Sequence, residues 1–297
     1  MLLAVAMLAG CSENEAETTP AGNADARVAI RLNSGIEATT KAPVKASATV
    51  QIEGWEDKSA ANYSGASTWQ STAEVMSNSD AQSITLSPLR YYNADENTKT
   101  YIKGWYPQVA SQDGTVTFSN DDGTTDVLYA AEVSGSKDQT VSQPLVFNHK
   151  STQLVFKVKK GEGLAAGTKI KTIKVKNTAV PTSITLTGDQ VNYTEKSELL
   201  VPNLSVAEIG DEAAMAGEPV MIRPEADNST VKLLIETTLD DGSSVAATYN
   251  NVAFTTSDGK LSEGSAYTVE LTFSQGGIQL SAHITPWTEA TGSGTVM

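Results

Sequence analysis

The stretch ARVAIRL, residues 26–32, places Val28, Ile30 and Leu32 on one side of an extended chain. This period of two marks a half-buried β-strand. The same alternation, rich in Thr, Val, Ile and Tyr, returns at short intervals along the chain. Its first set is ATVQIEGW (48–55), SITLSPLRYY (83–92), TYIKGWYP (100–107), TVTFS (115–119) and DVLYAAEV (126–133). The later set is QLVFKVKKG (153–161), KIKTIKVKN (169–177), TSITLTG (182–188), EPVMIRP (218–224), TVKLLIETTL (230–239), SVAATYNNVAF (244–254), YTVELTF (267–273) and IQLSAHITPW (278–287). Hairpin signals punctuate these runs: NDDG at 120–123, DDGS at 240–243, TSDGK at 256–260 and QGG at 275–277. A short helix is expected only near Ser205–Ala216. Many short strands joined by polar turns predict an all-β chain, and 297 residues suit two β-sandwich domains in tandem. The division is placed near Asn148, giving an N-terminal domain over 27–148 and a C-terminal one over 149–297.

Ahead of the first strand the chain reads MLLAVAMLAGCSENEAE, and Cys11 is the only cysteine. With no second thiol there is no disulfide within the chain. The first ten residues are apolar but far short of the roughly 20 that cross a bilayer. They fit the apolar core and small-residue cleavage site of a signal peptide (residues 1–10). Leu8-Ala9-Gly10-Cys11 resembles the bacterial lipobox, in which cleavage leaves the cysteine as the first residue, carrying acyl chains. Cys11 is thus the expected lipidation site. The polar, acidic tract over 11–26 reads as a tether without a core of its own. Its acidic residues resemble the signal that sends lipoproteins of the Bacteroidetes to the cell surface.

The formal net charge of -14 argues against partners built on phosphate, nucleic acid foremost. Catalytic patterns are thin. His149 and His283 lie in strand patterns with no HxH, no HExxH and no nearby cysteine, so neither a zinc site nor a Ser-His-Asp triad has material to build on. GEGLAAG at 161–167 is G-x-G-x-x-x-G between two strands and reads as a turn, not a nucleotide loop. NDDGTTD at 120–126 lacks the spacing of a calcium loop. No catalytic residue, metal or cofactor is expected. Lys157, Lys159, Lys160, Lys169, Lys171, Lys174 and Lys176 fall on what read as neighbouring strands, where lysine discourages edge-to-edge pairing. Trp55, Trp69, Tyr91, Tyr92, Trp105 and Tyr106 make the first half rich in aromatics, which fill a core or else stack on sugar rings.

Taken in order, Cys11, VAIRL at 28–32, TTKA at 39–42, SATVQIEGW at 47–55, DVLYA at 126–130, PLVFNHKSTQLVFKV at 144–158 and the terminal YTVELTF and IQLSAHITPW resemble the fimbrillin family, subunits of the type V fimbriae of Bacteroidetes. The resemblance implies two transthyretin-like β-sandwich domains and export as an outer-membrane lipoprotein. It also implies proteolysis behind the first strand and assembly by donor-strand exchange with other fimbrial subunits. Carried onto this chain, the displaced strand is Arg27–Leu32, with Val28, Ile30 and Leu32 facing the groove. The cut falls between Lys41 and Ala42. The family's protease typically cuts after arginine, so Lys41 suits a trypsin-like enzyme instead. A cut after Arg31, or no cut and a permanent lipid anchor, are the alternatives. The candidate donor is the last strand, with Ile278, Leu280, Ala282 and Ile284 on one face, unless that strand simply completes its own domain. A second function class is a lipid-anchored surface protein that binds glycans through the first-domain aromatics.

Overall fold

The computed structural model describes residues 27–36, 47–76, 81–204, 207–256 and 259–285. Among them the protein is all-β, its one helical element a single 3-10 turn at Asn228–Thr230. In chain order the first strands are β1 (Leu32–Ile36), β2 (Ser47–Asp57), β3 (Trp69–Met76), β4 (Gln82–Ile84), β5 (Lys99–Tyr106), β6 (Thr115–Thr117), β7 (Leu128–Gly135) and β8 (Leu145–His149). The remainder are β9 (Thr152–Lys160), β10 (Lys169–Thr185), β11 (Gln190–Leu200), β12 (Ala214–Met215), β13 (Val220–Ile222), β14 (Lys232–Thr238), β15 (Ala247–Ala253), β16 (Ala266–Ser274) and β17 (Gly277–Thr285).

Seven strands form the first sheet, in the order β3-β2-β5-β7-β8-β1-β4. Its two ends meet, because Thr72 on β3 and Ser87 just past β4 exchange both backbone hydrogen bonds, at 2.9 and 2.8 Å. The rolled sheet encloses a core that includes Ile30, Leu32, Ile36, Val50, Ile52, Ile102, Leu145 and Phe147. Alternation explains the choice of face. Val50 and Ile52 point into this core, while Trp55 points out of it into a separate cluster on the opposite side.

Two five-stranded sheets make the other half. One runs β11-β10-β14-β15, with β6 also paired to β10; the other runs β12-β9-β16-β17, with β13 also paired to β9. They face each other across one core, to which Phe156 on β9, Ile173 and Val175 on β10, Ile235 on β14 and Val269 and Phe273 on β16 all contribute. Only Lys150 and Ser151 separate β8 from β9.

Three local expectations change. The helix expected near Ser205–Ala216 does not form over 207–216. There Ile209 N–H donates to Thr168 O at 2.9 Å, Lys160 N–H donates to Gly210 O at 2.6 Å, and β12 pairs with β9. Strand partners thus take the backbone groups a helix would need. KIKTIKVKN and TSITLTG are a single 17-residue strand, β10, which absorbs Pro181 at a register shift against β11. NDDG at 120–123 closes a turn, with Gly123 N–H on Asn120 O at 3.3 Å, but it carries the chain from β6 to β7 in a different sheet and is no hairpin.

Candidate functional site

The chain's first described segment enters the rolled sheet before β1 is formally a strand. Ile30 N–H donates to Arg90 O at 2.8 Å, and Tyr92 N–H donates to Val28 O at 3.0 Å. β1 then runs antiparallel to β4, with Leu32 opposite Ile84, and parallel to β8, with Ser34 opposite Leu145 and Ile36 opposite Phe147. The ladder therefore begins at Leu32, later than the Arg27–Leu32 span expected, and continues to Ile36.

The inward row is longer than the sequence alone suggested. Val28 is half-buried, Ile30, Leu32 and Ile36 are at most 2 % exposed, and Ser34 lies between the last two with its Oγ donating to Leu145 O at 2.7 Å. The slot thus takes large, large, small and large side chains at positions 30, 32, 34 and 36. Ser34 interrupts the apolar alternation, so in the sequence the row is visible only as far as Leu32. Arg31 points outward and is exposed, but the residues on either side of it are held by backbone pairing. Cys11, Lys41 and Ala42 lie outside the described residues.

β17 pairs along its whole length with β16, from Ser274 opposite Gly277 to Ala266 opposite Thr285. It has no neighbour on its other side among the described strands. Ile278 and Leu280 pack against the core of the two five-stranded sheets. The second half also keeps a shallow cleft of about 520 Å³ beside the β16–β17 turn, lined by Gly161, Glu162, Gly163, Gln275 and Gln279.

The aromatic set does not form a sugar-stacking platform. Trp55, Trp69, Trp105 and Tyr92 are buried, because β-alternation turns them into the two cores that sandwich the first sheet; Tyr91 is exposed and Tyr106 half-buried. The lysines do not gather either. Those of β9 and those of β10 belong to different sheets. Lys159 pairs with Glu270 at 2.5 Å, Lys174 with Glu198 at 2.8 Å, and Lys169 donates to Asp240 O at 3.0 Å. His149 Nδ1 meets Asp126 Oδ2 at 2.7 Å in a buried pair. Among the described residues no group of three His, Cys, Asp or Glu could hold a metal ion.

A polar cluster missed at the sequence level lies on the outer face of the first sheet. Lys103 of β5 is 3 % exposed, and its Nζ donates to Leu186 O at 2.7 Å and to Asp189 Oδ1 at 2.5 Å. Tyr129 OH donates to the same Asp189 oxygen at 2.5 Å. Burial pushes Asp189 upward, but hydrogen bonds from Lys103 and Tyr129 and the charge of Lys103 outweigh it, leaving the carboxyl below its usual range. Burial foremost, then Asp189, pushes the Tyr129 phenol far above its ordinary value.

Comparison with known proteins agrees with this architecture. A family model described as fimbrillin-like matches residues 38–287. A Bacteroides uniformis protein provisionally named fimbrium subunit Fim1C is 26% identical over 305 residues, covering 99% of this chain and 95% of that protein. Among solved structures, a Bacteroides uniformis protein provisionally assigned to cell adhesion superposes with a TM-score of 0.59 at 19% identity, covering 88% of this chain and 99% of that one. A Bacteroides vulgatus fimbrial protein gives 0.50 at 15% identity, covering 88% and 100%. At these identities the two structures speak to fold alone.

Proposed function

The chain belongs to the fimbrillin-like family, and on that premise we propose that it is a fimbrial or surface-adhesion subunit assembled by donor-strand exchange after proteolysis behind its first strand. The observation that carries this reading is a match between two strands of the chain. The slot filled by Ile30, Leu32, Ser34 and Ile36 has the pattern I-x-L-x-small-x-I, and the last strand repeats it as Ile278, Leu280, Ala282 and Ile284. A second copy's C-terminal strand, laid in the direction of β1, would set its small residue at the Ser34 position and its three large ones in the other slots.

Topology supports the exchange. β1 lies inside the sheet between β8 and β4, yet it is the first of the described strands. One cut behind it, between Lys41 and Ala42, would turn it into a separate peptide, whereas freeing any strand from β2 to β16 takes two. Among the described strands β17 is held by one ladder, to β16, so donating it costs one set of backbone hydrogen bonds instead of two. We read residues 27–148 and 149–297 as tandem transthyretin-like sandwich units on the strength of their separate cores. β6 is the exception, because it pairs into the second unit's sheet.

In this reading Cys11 carries the acyl chains that hold the precursor at the outer membrane, and the partners are further fimbrial subunits and a maturation protease. N-terminal sequencing of protein recovered from the cell surface decides the assembly step. A start at Ala42 supports it, and a start at Cys11 in assembled material overturns it. Metabolic palmitate labelling is expected to vanish in Cys11→Ala; label that persists refutes the anchor.

A further inference from the structure

The β10–β11 hairpin is longer than its own sheet requires. Its base pairs with β14 through Lys169–Ile173, but beyond that β10 reaches across to pair Ser183–Thr185 with β6. The tip lies on the outer face of the first sheet. Ile184 and Leu186 share an apolar cluster with Trp55 of β2, Trp105 of β5, Val116 of β6 and Tyr129 of β7. Leu186 N–H donates to Gly114 O at 2.9 Å.

Into this apolar contact the protein places a charge. Lys103 has Glu53 as its backbone partner on β2, but Glu53 is occupied by Ser111, whose N–H and Oγ donate to it at 2.9 and 2.6 Å. The Lys103 ammonium is satisfied instead by the hairpin tip, through Leu186 O and Asp189, and by the Tyr63 ring, whose centroid lies 3.8 Å away. Tyr63 OH in turn donates to Glu132. A buried cation is strongly unfavourable unless its donors are met. Withdrawing the hairpin would strip Lys103 of two partners at once, so contact and charge release together or not at all. An apolar side chain at position 103 would fill the space without that penalty for partial opening.

We propose that Lys103 is the pin of a latch that fixes the β10–β11 hairpin to the first sheet, making the two halves of the subunit one rigid body. Asp189 is the catch: it stands in the tight turn with φ 56 and a side chain 43% exposed, so Asn fits in its place, and the Tyr129 OH that also donates to it keeps an acceptor there. The latch does not depend on strand exchange and operates in the intact precursor.

Hydrogen exchange on the full chain tests it. In Lys103→Met, amides over 183–191 are expected to exchange at least tenfold faster, with those of β14 and β16 unchanged. Asp189→Asn, which keeps a turn-compatible side chain and an acceptor but loses the charge, is expected to give a smaller rise confined to the same stretch. Should Lys103→Met fail to fold, Asp189→Asn alone decides. Wild-type protection of the tip in the variants overturns the proposal, and so does a uniform rise across both halves, which would make Lys103 a general stability residue.

Discussion

Deleting residues 1–41 from the chain should leave a subunit that does not hold its fold, and one peptide should restore it. The deletion removes Ile30, Leu32 and Ile36, each at most 2 % exposed. Burial of such side chains contributes about 1.5–3 kcal/mol apiece, so together about 5–9 kcal/mol, before counting the ladders to β8 and β4. A whole domain is stable by only about 5–15 kcal/mol. Thermal unfolding followed by circular dichroism should therefore show the first-half transition lowered steeply or lost, against a control spanning 11–297 with Cys11→Ala. A synthetic peptide of residues 277–285 at a hundred times its dissociation constant should return about 2.7 kcal/mol by mass action. The same peptide with Ala282→Phe should return nothing, because the Ser34 position is 2 % exposed and is filled by a side chain as small as serine. If the truncated chain melts like the control, β1 is not needed and the exchange reading falls. If both peptides rescue equally, the register assigned to the donor is wrong.

Other outcomes follow from local geometry. Gly104→Ala would set a Cβ 2.6 Å from the Phe147 ring and 3.2 Å from Leu145 Cδ2, so overpacking should cost about 1–3 kcal/mol, read as a lower melting midpoint. Gly54→Ala would bring a Cβ within 2.2 Å of the Trp69 indole, and the expected readout is Trp69 fluorescence shifted to the red as the ring is driven out. Lys174→Ala, which breaks a pair whose partners are 33% and 38% exposed, should change stability by less than about 1 kcal/mol. The latch has a pH window with a definite sign. Asp189 is lowered, so its contribution is full above the unfolded carboxylate value near about 4 and fades as pH falls through the folded one. Tyr129 is raised, so its contribution is full below the unfolded phenol value near about 10 and fades on further rise. The protection factor over 183–191, with the intrinsic base-catalysed exchange rate divided out, should stay flat across neutral pH and fall only outside that span.

Where the alternation is strong, the sequence already carries the fold: ATVQIEGW falls in β2, YTVELTF in β16 and IQLSAHIT in β17, QGG turns β16 into β17, and DDGS turns β14 into β15. What escaped was decided by partners distant in sequence. β11, QVNYTEKSELL, reads as polar because it is an outer strand of its sheet, paired along one edge with β10, and only Leu199 in it is buried. Ser34 interrupts the apolar row of the first strand, yet it is buried because its hydroxyl finds Leu145 O across 111 residues. Lys103 sits in TYIKGWYP like any solvent-facing strand lysine. Only the hairpin 83 residues later, which brings Leu186 O to its ammonium, makes it a core residue.

The two readings of this subunit meet at the first sheet, which strand exchange would open and the latch would hold. On its inner face the sheet depends on β1, since the core there includes Ile30, Leu32 and Ile36. On its outer face β2, β5 and β7 are buried against β6 and the β10–β11 tip without any residue of β1. A subunit that must lose its first strand and wait for another needs some part of that sheet to keep its order in between. The outer cluster, pinned through Lys103, is the part of the sheet whose packing the loss of β1 leaves untouched. It follows that Lys103→Met should weaken peptide rescue of the truncated chain more than it weakens the intact precursor. Equal losses in the two would place the order of the empty groove elsewhere.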